Sequence, residues 1–325
     1  MMKGPTMSDL RGAVIGAGNM GRHHARIMSQ CEGVELVCIV DTDLEAARGL
    51  CDQWGGTPLS SVDDLPPVDV ALIATPTEYH EAIALELIGR GVSLLIEKPL
   101  AESPAAARRI VEASRAAGVT LAVGHVERFN PAVQELKRRL KDPRMISIER
   151  LSPFPARIKD SVIYDLTVHD IDLACWLADS ELTELNATGS VTLSDKTDVV
   201  STQLKFASSC IATLQTSRIT QDKVRRITVS EPERFFKVDM LRQDIEITRS
   251  ARVENIMEDG RATYTQETIR EIPTISGGGE PLRIEQEDFY RAVREGRAPM
   301  VTGEDGLRAV ELVERIEELA GAPSY

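Results

Sequence analysis

Along residues 10–124 short apolar runs alternate with stretches of helical period, whereas along residues 182–248 apolar and polar positions alternate almost one by one. The first texture predicts a parallel sheet with helices on both faces, because strands buried on both sides read as unbroken apolar runs joined by crossover helices. Strands are expected at 12–15, 34–40, 68–74, 92–96 and 120–123, with helical segments such as 22–29 and 78–89 between them. The helix at 104–117 is marked at both ends: Ser103 offers an N-cap hydroxyl, Pro104 sits where no N–H is needed, and Gly118 supplies the exit. The second texture contains runs such as 201–206 and 210–217 with no long helix between them, and predicts an open, mostly antiparallel sheet. Helices are expected at 130–141 and 165–177 before that sheet and at 282–295 and 304–319 after it. The fold class is therefore an α/β domain over 1–125, then an α+β domain over 126–325 whose C-terminal helices are free to pack back on the first.

At 325 residues, 42% hydrophobic and 27% charged, the chain is long enough for two domains with substantial cores. The longest apolar runs are strand-sized, and 1–11 carries no apolar signal core, so neither a membrane span nor export is expected. A net charge of −13 disfavours nucleic acid and anionic membranes as partners, since both require a basic face. The five cysteines are scattered within apolar runs without a C-x-x-C pair, which reads as buried thiols in a reducing cytoplasm. An open sheet with one uncovered face also predicts a broad apolar surface, and hence a homodimer or a homotetramer of such dimers.

The chemistry starts at Gly16-Ala17-Gly18-Asn19-Met20-Gly21, directly after the first apolar run. Three glycines at this spacing permit a tight strand-to-helix turn and let the backbone approach a pyrophosphate, which the new helix's N–H groups then face. Asp41 ends the second apolar run, about twenty residues on, where a carboxylate accepts from the adenosine ribose diol and repels a 2′-phosphate. The residues after it, Thr42, Asp43 and Leu44, include no arginine, so the cofactor is expected to be NAD and not NADP.

Ligands of such a sheet bind at the carboxyl ends of its strands. Ala74-Thr75-Pro76-Thr77-Glu78-Tyr79-His80 follows the third major strand, Glu97-Lys98-Pro99 the fourth, and His125-Val126-Glu127-Arg128-Phe129-Asn130-Pro131 the last. A fourth group, Asp165-Leu166-Thr167-Val168-His169, puts an acid and a histidine four apart, on one face if helical. Hydride transfer from a secondary alcohol needs a proton acceptor and a positive donor for the developing alkoxide. His169 fits the first role, with Asp165 orienting it, and Lys98 fits the second or shares the proton relay. His23 and His24 read as structural. His125, Asp165, His169 and Asp172 match no familiar metal spacing, and no metal is expected.

Taken together, the glycine turn, Ala74-Thr75-Pro76 with His80, Glu97-Lys98-Pro99 and Asp165-x-x-x-His169 resemble the Gfo/Idh/MocA oxidoreductases over nearly the whole chain. The resemblance implies an N-terminal Rossmann domain and an open-sheet second domain. It implies that Lys98, Asp165 and His169 are the catalytic lysine, aspartate and histidine, and that Thr75, Pro76, His80 and Glu97 line the cofactor. Residues 124–131 and 165–172 are similar to those of the family's nucleotide-sugar members, the UDP-N-acetylglucosamine 3-dehydrogenase-like proteins. That likeness implies a small-molecule UDP-sugar substrate oxidised at the ring 3-position, its diphosphate held by Arg128, Arg157 or Lys159 with Asn130 nearby. Alternatives are an inositol or free-sugar dehydrogenase of the same family, a redox-assisted glycosidase that retains its NAD, and a non-catalytic NAD-linked sensor.

Overall fold

The unbroken apolar runs of the N-terminal part become a six-stranded parallel sheet. The computed structural model describes residues 9–154, 160–256, 262–275 and 279–321. In it β1 (Leu10–Ile15), β2 (Val34–Val40), β3 (Thr57–Leu59), β4 (Val70–Ile73), β5 (Ser93–Glu97) and β6 (Leu121–Gly124) lie in the order β3-β2-β1-β4-β5-β6. Between them run α1 (Asn19–Met28), α2 (Leu44–Trp54), α3 (His80–Gly89) and α4 (Pro104–Ala117). Every residue of β4 and β5 is buried, as covering on both faces requires. The two-residue period divides the core: Ala13, Ile15, Ala71, Ile73, Leu94 and Ile96 face one apolar cluster, and Val14, Leu72 and Leu95 face the other. Strand β3 was not expected; it is a three-residue edge containing Pro58, too short and too polar in its surroundings to register as an apolar run. Ser103 caps α4 by accepting from Ala106 N–H at 3.3 Å, and Gly118 closes it in the left-handed conformation.

The second unit begins with α5 (Pro131–Arg139) and β7 (Met145–Leu151), followed by a π-helical turn (Ile163–Thr167) that runs into α6 (Val168–Ala178). The strands β8 (Leu182–Ser190), β9 (Val199–Phe206), β10 (Ile211–Ser217), β11 (Val224–Ser230), β12 (Arg234–Asp239), β13 (Asp244–Ile256) and β14 (Ala262–Glu271) then complete an eight-stranded sheet. Its order is β14-β13-β12-β11-β7-β10-β9-β8, with every pair antiparallel except β7 with β10. One face, carrying Ile146, Ile148, Leu214, Ile227, Val229, Phe236 and Val238, is buried, with α5 and α6 against the sheet.

The other face is not the broad apolar surface expected. Register places Gln203, Thr213, Ser147, Thr228 and Lys237 in one row and Ser201, Gln215, Glu149 and Arg226 in the next. Among the described residues of this face, large apolar side chains are exposed in the end row, at Ile211, Met145 and Phe235. The alternation that hides one face leaves these central strands with polar residues to present to water.

The chain finally enters α7 (Pro281–Glu295) and α8 (Gly303–Ala320). Residues up to 129 and 279–314 form one compact unit, and 130–278 with 315 onward form the other. The first unit thus includes a C-terminal segment, because Leu282, Phe289 and Tyr290 of α7 complete the apolar cluster around Val14 and Leu72.

Candidate active site

The glycine turn is built by close approach. Gly16 has φ of +103°, and a Cβ there would lie 2.7 Å from Ala74 O; a Cβ on Gly21 would lie 1.8 Å from Gly16 O. Only glycine lets β1, the loop after β4 and α1 come this near. Gly18 precedes α1 without a capping side chain, so the N–H groups of its first turn are left to a ligand, with Asn19 exposed and Met20 half-buried beside them. The Asp41 carboxylate accepts from Ala17 N–H at 2.6 Å and Asp43 N–H at 2.9 Å, which holds it at the turn. Each of its oxygens keeps a lone pair for a ribose hydroxyl.

Gly16, Gly18, Asp41, Thr75, Pro76 and Tyr79 line one cavity of about 630 Å³. Within it the Thr75 hydroxyl is buried and has no hydrogen-bond partner. A buried hydroxyl without a partner, beside uncapped helix N–H groups, fits a dinucleotide that supplies the missing partners. His80 is not part of that lining. It is buried, with Nδ1 3.1 Å from Pro99 O and Nε2 3.0 Å from Thr75 O, so it braces the loops after β4 and β5 against each other. Burial pushes its imidazole below the ordinary histidine value, while the two carbonyls pull the other way.

At the end of β5, Glu97 is buried and Lys98 half-buried. Glu97 Oε1 accepts from His24 Nε2 at 2.9 Å, and Oε2 accepts from the Lys98 backbone N–H at 3.2 Å. Burial raises the Glu97 carboxyl, but the His24 bond and the Lys98 ammonium and N–H outweigh it and hold the group below the usual carboxylate range. Gln286 of α7 reaches His24 Nδ1 at 2.9 Å, and Tyr290 Oη donates to Gln286 Oε1 at 2.9 Å. Neighbouring Glu285 is buried with no hydrogen-bond partner on either oxygen; burial and the charges of Glu97 and Asp288 hold its proton on well above the ordinary value. The sequence reading missed this cluster, although Glu285 and Gln286 are polar residues on the core-facing spacing set by Leu282 and Phe289.

In the second unit, Asp165 lies exposed in the π-helical turn and His169 half-buried in the first turn of α6, its Nδ1 shielded from solvent. Single π turns concentrate at functional sites because the widened turn re-aims side chains. Helix α6 is fastened to the sheet just beyond His169: Arg150 Nε donates to Asp170 Oδ1 at 2.6 Å and Thr216 Oγ1 to Oδ2 at 3.3 Å. Asp165 and His169 are thus presented on a rigid support.

Two expected substrate contacts are corrected. Arg128 is buried, with its guanidinium bound to Asp305 at 3.2 Å and to Met300 O at 3.2 Å; it is spent on an internal ion pair and not offered to a diphosphate. Asn130 is also buried, accepting from Ala132 N–H at 3.1 Å and donating to Met240 O at 2.9 Å, so it is the N-cap of α5. Arg157 and Lys159 lie outside the described residues.

A Rossmann sheet with an uncapped glycine turn, an acid at the end of β2 and a lysine at the end of β5 defines a dinucleotide-binding oxidoreductase. The family model described as "Oxidoreductase family, NAD-binding Rossmann fold" matches residues 10–125, and that of the GFO/IDH/MocA C-terminal domain matches 105–231. The chain is 30% identical over 308 residues to UDP-N-acetylglucosamine 3-dehydrogenase of Acidithiobacillus ferrooxidans, covering 94% of this chain and 95% of that protein. It is 27% identical to inositol 2-dehydrogenase of Rhizobium meliloti, over 94% and 95% of the two chains. The solved structure of the A. ferrooxidans enzyme superposes with a TM-score of 0.86 at 28% identity, covering 97% of this chain and 99% of that one. The chain belongs to the Gfo/Idh/MocA oxidoreductase family and is an NAD-dependent dehydrogenase of the sugar and polyol class.

Proposed function

We propose that the protein oxidises a ring hydroxyl of a UDP-sugar, UDP-N-acetylglucosamine or a near relative, to the 3-ketone. The observation that carries this reading is the likeness to a UDP-N-acetylglucosamine 3-dehydrogenase at 30% identity along nearly all of both chains, the sugar-facing unit included. NAD supplies the hydride acceptor. Asp41 recognises the adenosine ribose, the first turn of α1 receives the pyrophosphate, and Thr75 hydrogen-bonds the cofactor with its buried hydroxyl. His169 takes the hydroxyl proton, Asp165 orients its ring, and Lys98 stabilises the alkoxide and shares the proton. Arg157 and Lys159 are the cations assigned to the diphosphate. Binding energy from the nucleotide then orients the sugar, so its removal lowers turnover as well as affinity.

A screen of UDP-N-acetylglucosamine, UDP-glucose, N-acetylglucosamine and myo-inositol by NADH absorbance tests the substrate. Fastest turnover of a UDP-sugar, with the ketone located at the 3-position, is expected; a free sugar outrunning every UDP-sugar overturns the nucleotide reading. The second reading, an inositol dehydrogenase, is favoured by the inositol 2-dehydrogenase relative that also spans the chain. Net NADH release separates both from a redox-assisted glycosidase. Lys98→Ala and His169→Ala are expected to lower turnover by about two to four orders of magnitude with NAD affinity retained. Calorimetry is expected to show NAD binding far tighter than NADP, through Asp41. We also propose a cytoplasmic homodimer or homotetramer, in which the polar outer face of the second sheet, with its Arg226–Glu149 ion pair, makes a hydrogen-bonded contact. A monomer in light scattering at micromolar concentration contradicts that assembly.

A further inference from the structure

Several bonds of the first unit converge on the Glu97 carboxylate. Tyr290 Oη donates to Gln286 Oε1, so the carbonyl end of that amide is taken and its nitrogen faces His24, 2.9 Å from Nδ1 and 3.4 Å from the His24 carbonyl. An amide nitrogen donates and cannot accept, so Nδ1 is the acceptor and the ring proton sits on Nε2. That proton points at Glu97 Oε1, 2.9 Å away, while Lys98 N–H takes Oε2. The opposite tautomer would set a bare nitrogen lone pair against a carboxylate. All donors in the chain therefore run from α7 toward Glu97.

We propose that His24 is a positioning residue for the reaction: locked by Gln286 and Tyr290 as the Nε2–H tautomer, it fixes the Glu97 carboxylate beside Lys98. The proposal rests on the reading of Lys98 as the group that meets the reacting oxygen. Glu97 is faced by His24 from α1, by Lys98 from its own strand end and by Glu285 from α7, with Asp288 acting on Glu285. Two buried carboxyls so placed carry one negative charge between them. Glu285 has no donor and Glu97 has two, so the His24 bond selects which of the pair is ionised. Without it the charge beside Lys98 is no longer assured, and the lysine loses both its counter-charge and its fixed backbone neighbour.

The test combines His24→Leu, His24→Gln and Lys98→Met with nitrogen NMR of histidine-labelled, unaltered protein. In the unaltered protein the His24 ring is expected as the neutral Nε2–H tautomer. His24→Leu is expected to lower kcat/KM about ten- to a hundredfold, as loss of a group that holds reacting geometry does. Its acid limb is expected at higher pH, because Glu97 loses the bond that keeps its carboxyl low. His24→Gln, whose amide reaches the Nε2 position, is expected to recover most of the rate and the original limb, and calorimetric NAD affinity is expected to change little. An Nδ1–H tautomer or an imidazolium overturns the proposal, as do leucine and glutamine variants that fall together with unchanged profile shape, or a leucine variant with full activity. Full turnover in Lys98→Met refutes the reading of Lys98 itself, and leaves the NMR result to judge His24 separately.

Discussion

The two sheets solve the same problem in opposite ways. In the first, β4 and β5 are buried at every position, and the site residues sit just beyond the strand ends, where the covered sheet gives out to loops such as those at Thr75 and Lys98. In the second, β9 alternates buried and exposed residue by residue, and the candidate pair lies with Asp165 in the π-helical turn and His169 in the first turn of α6, a helix that an ion pair fastens to the inner face. Function in the first unit depends on backbone geometry, which glycine and strand order set. In the second it rests on α6, where the buried bonds of Asp170 to Arg150 and Thr216 add to the apolar packing of Ile171 and Leu173. Stability in the first is therefore expected to be most sensitive at the doubly covered strands, and in the second at the buried polar bonds beneath α6.

The largest expected effect is in the second unit. Asp170→Ala leaves Arg150 buried without the carboxylate it donates to at 2.6 Å, and is expected to cost about 3–5 kcal/mol by scanning calorimetry. A loss below about 1 kcal/mol would remove the contrast. Next is a matched pair of truncations. Leu72→Ala, fully buried in β4, is expected to cost about 3 kcal/mol, whereas Ile211→Ala on the outer face of β10 stays within about 0.5 kcal/mol. Equal costs would mean that the second sheet's outer face is covered in solution.

A smaller effect is set by pH. Burial raises the Asp198 carboxyl, but the Ser194 hydroxyl and the N–H groups of Leu193, Ser194 and Thr192 outweigh it and hold it at about 2, below the ordinary 3.8. Its contribution is therefore complete above pH 4 and lost as pH falls toward 2. Asp198→Asn is expected to lower neutral stability by about 1–2 kcal/mol and to flatten that acid dependence, read from melting curves between pH 2 and 6. A second effect of pH, opposite in sign, belongs to the first unit. Glu285 is held protonated, with a folded value above the unfolded one, so its contribution declines as pH rises past the unfolded carboxylate range. Glu285→Gln is expected to raise the melting temperature more at pH 8 than at pH 5, the gain growing by at most about 1.4 kcal/mol per pH unit. A variant equally stable or less stable at pH 8 would place the charge on Glu285 instead.

Local signals carried far in this chain and long-range ones did not. The glycine turn, the strand-end motifs and the capped α4 were legible because each is fixed within a few residues of chain. Asn130 was open to the same reading: an asparagine followed by Pro131 repeats the pattern of Ser103 and Pro104, and marks a helix cap before it marks a ligand contact. Arg128 was not legible in this way. Its partner Asp305 is 177 residues away in sequence, and nothing near Arg128 announces a buried ion pair. Nor could alternation in β7 and β10 tell whether the outward positions would be apolar enough to bury; Ser147, Thr213 and Glu149 had to be read in register.

The return of α7 to the first unit has a consequence for biosynthesis. Residues up to 129 leave the ribosome well before 279–314, yet Leu282, Phe289 and Tyr290 complete the cluster around α1 and β1, and Gln286 carries the bond that orders His24. The nascent nucleotide-binding half must wait, with that apolar face open, while the whole second sheet is translated. A chain released early, for instance by a stop codon after β14, would carry every glycine of the cofactor turn and still lack the helix that closes it, which makes it a natural client for chaperones and proteases.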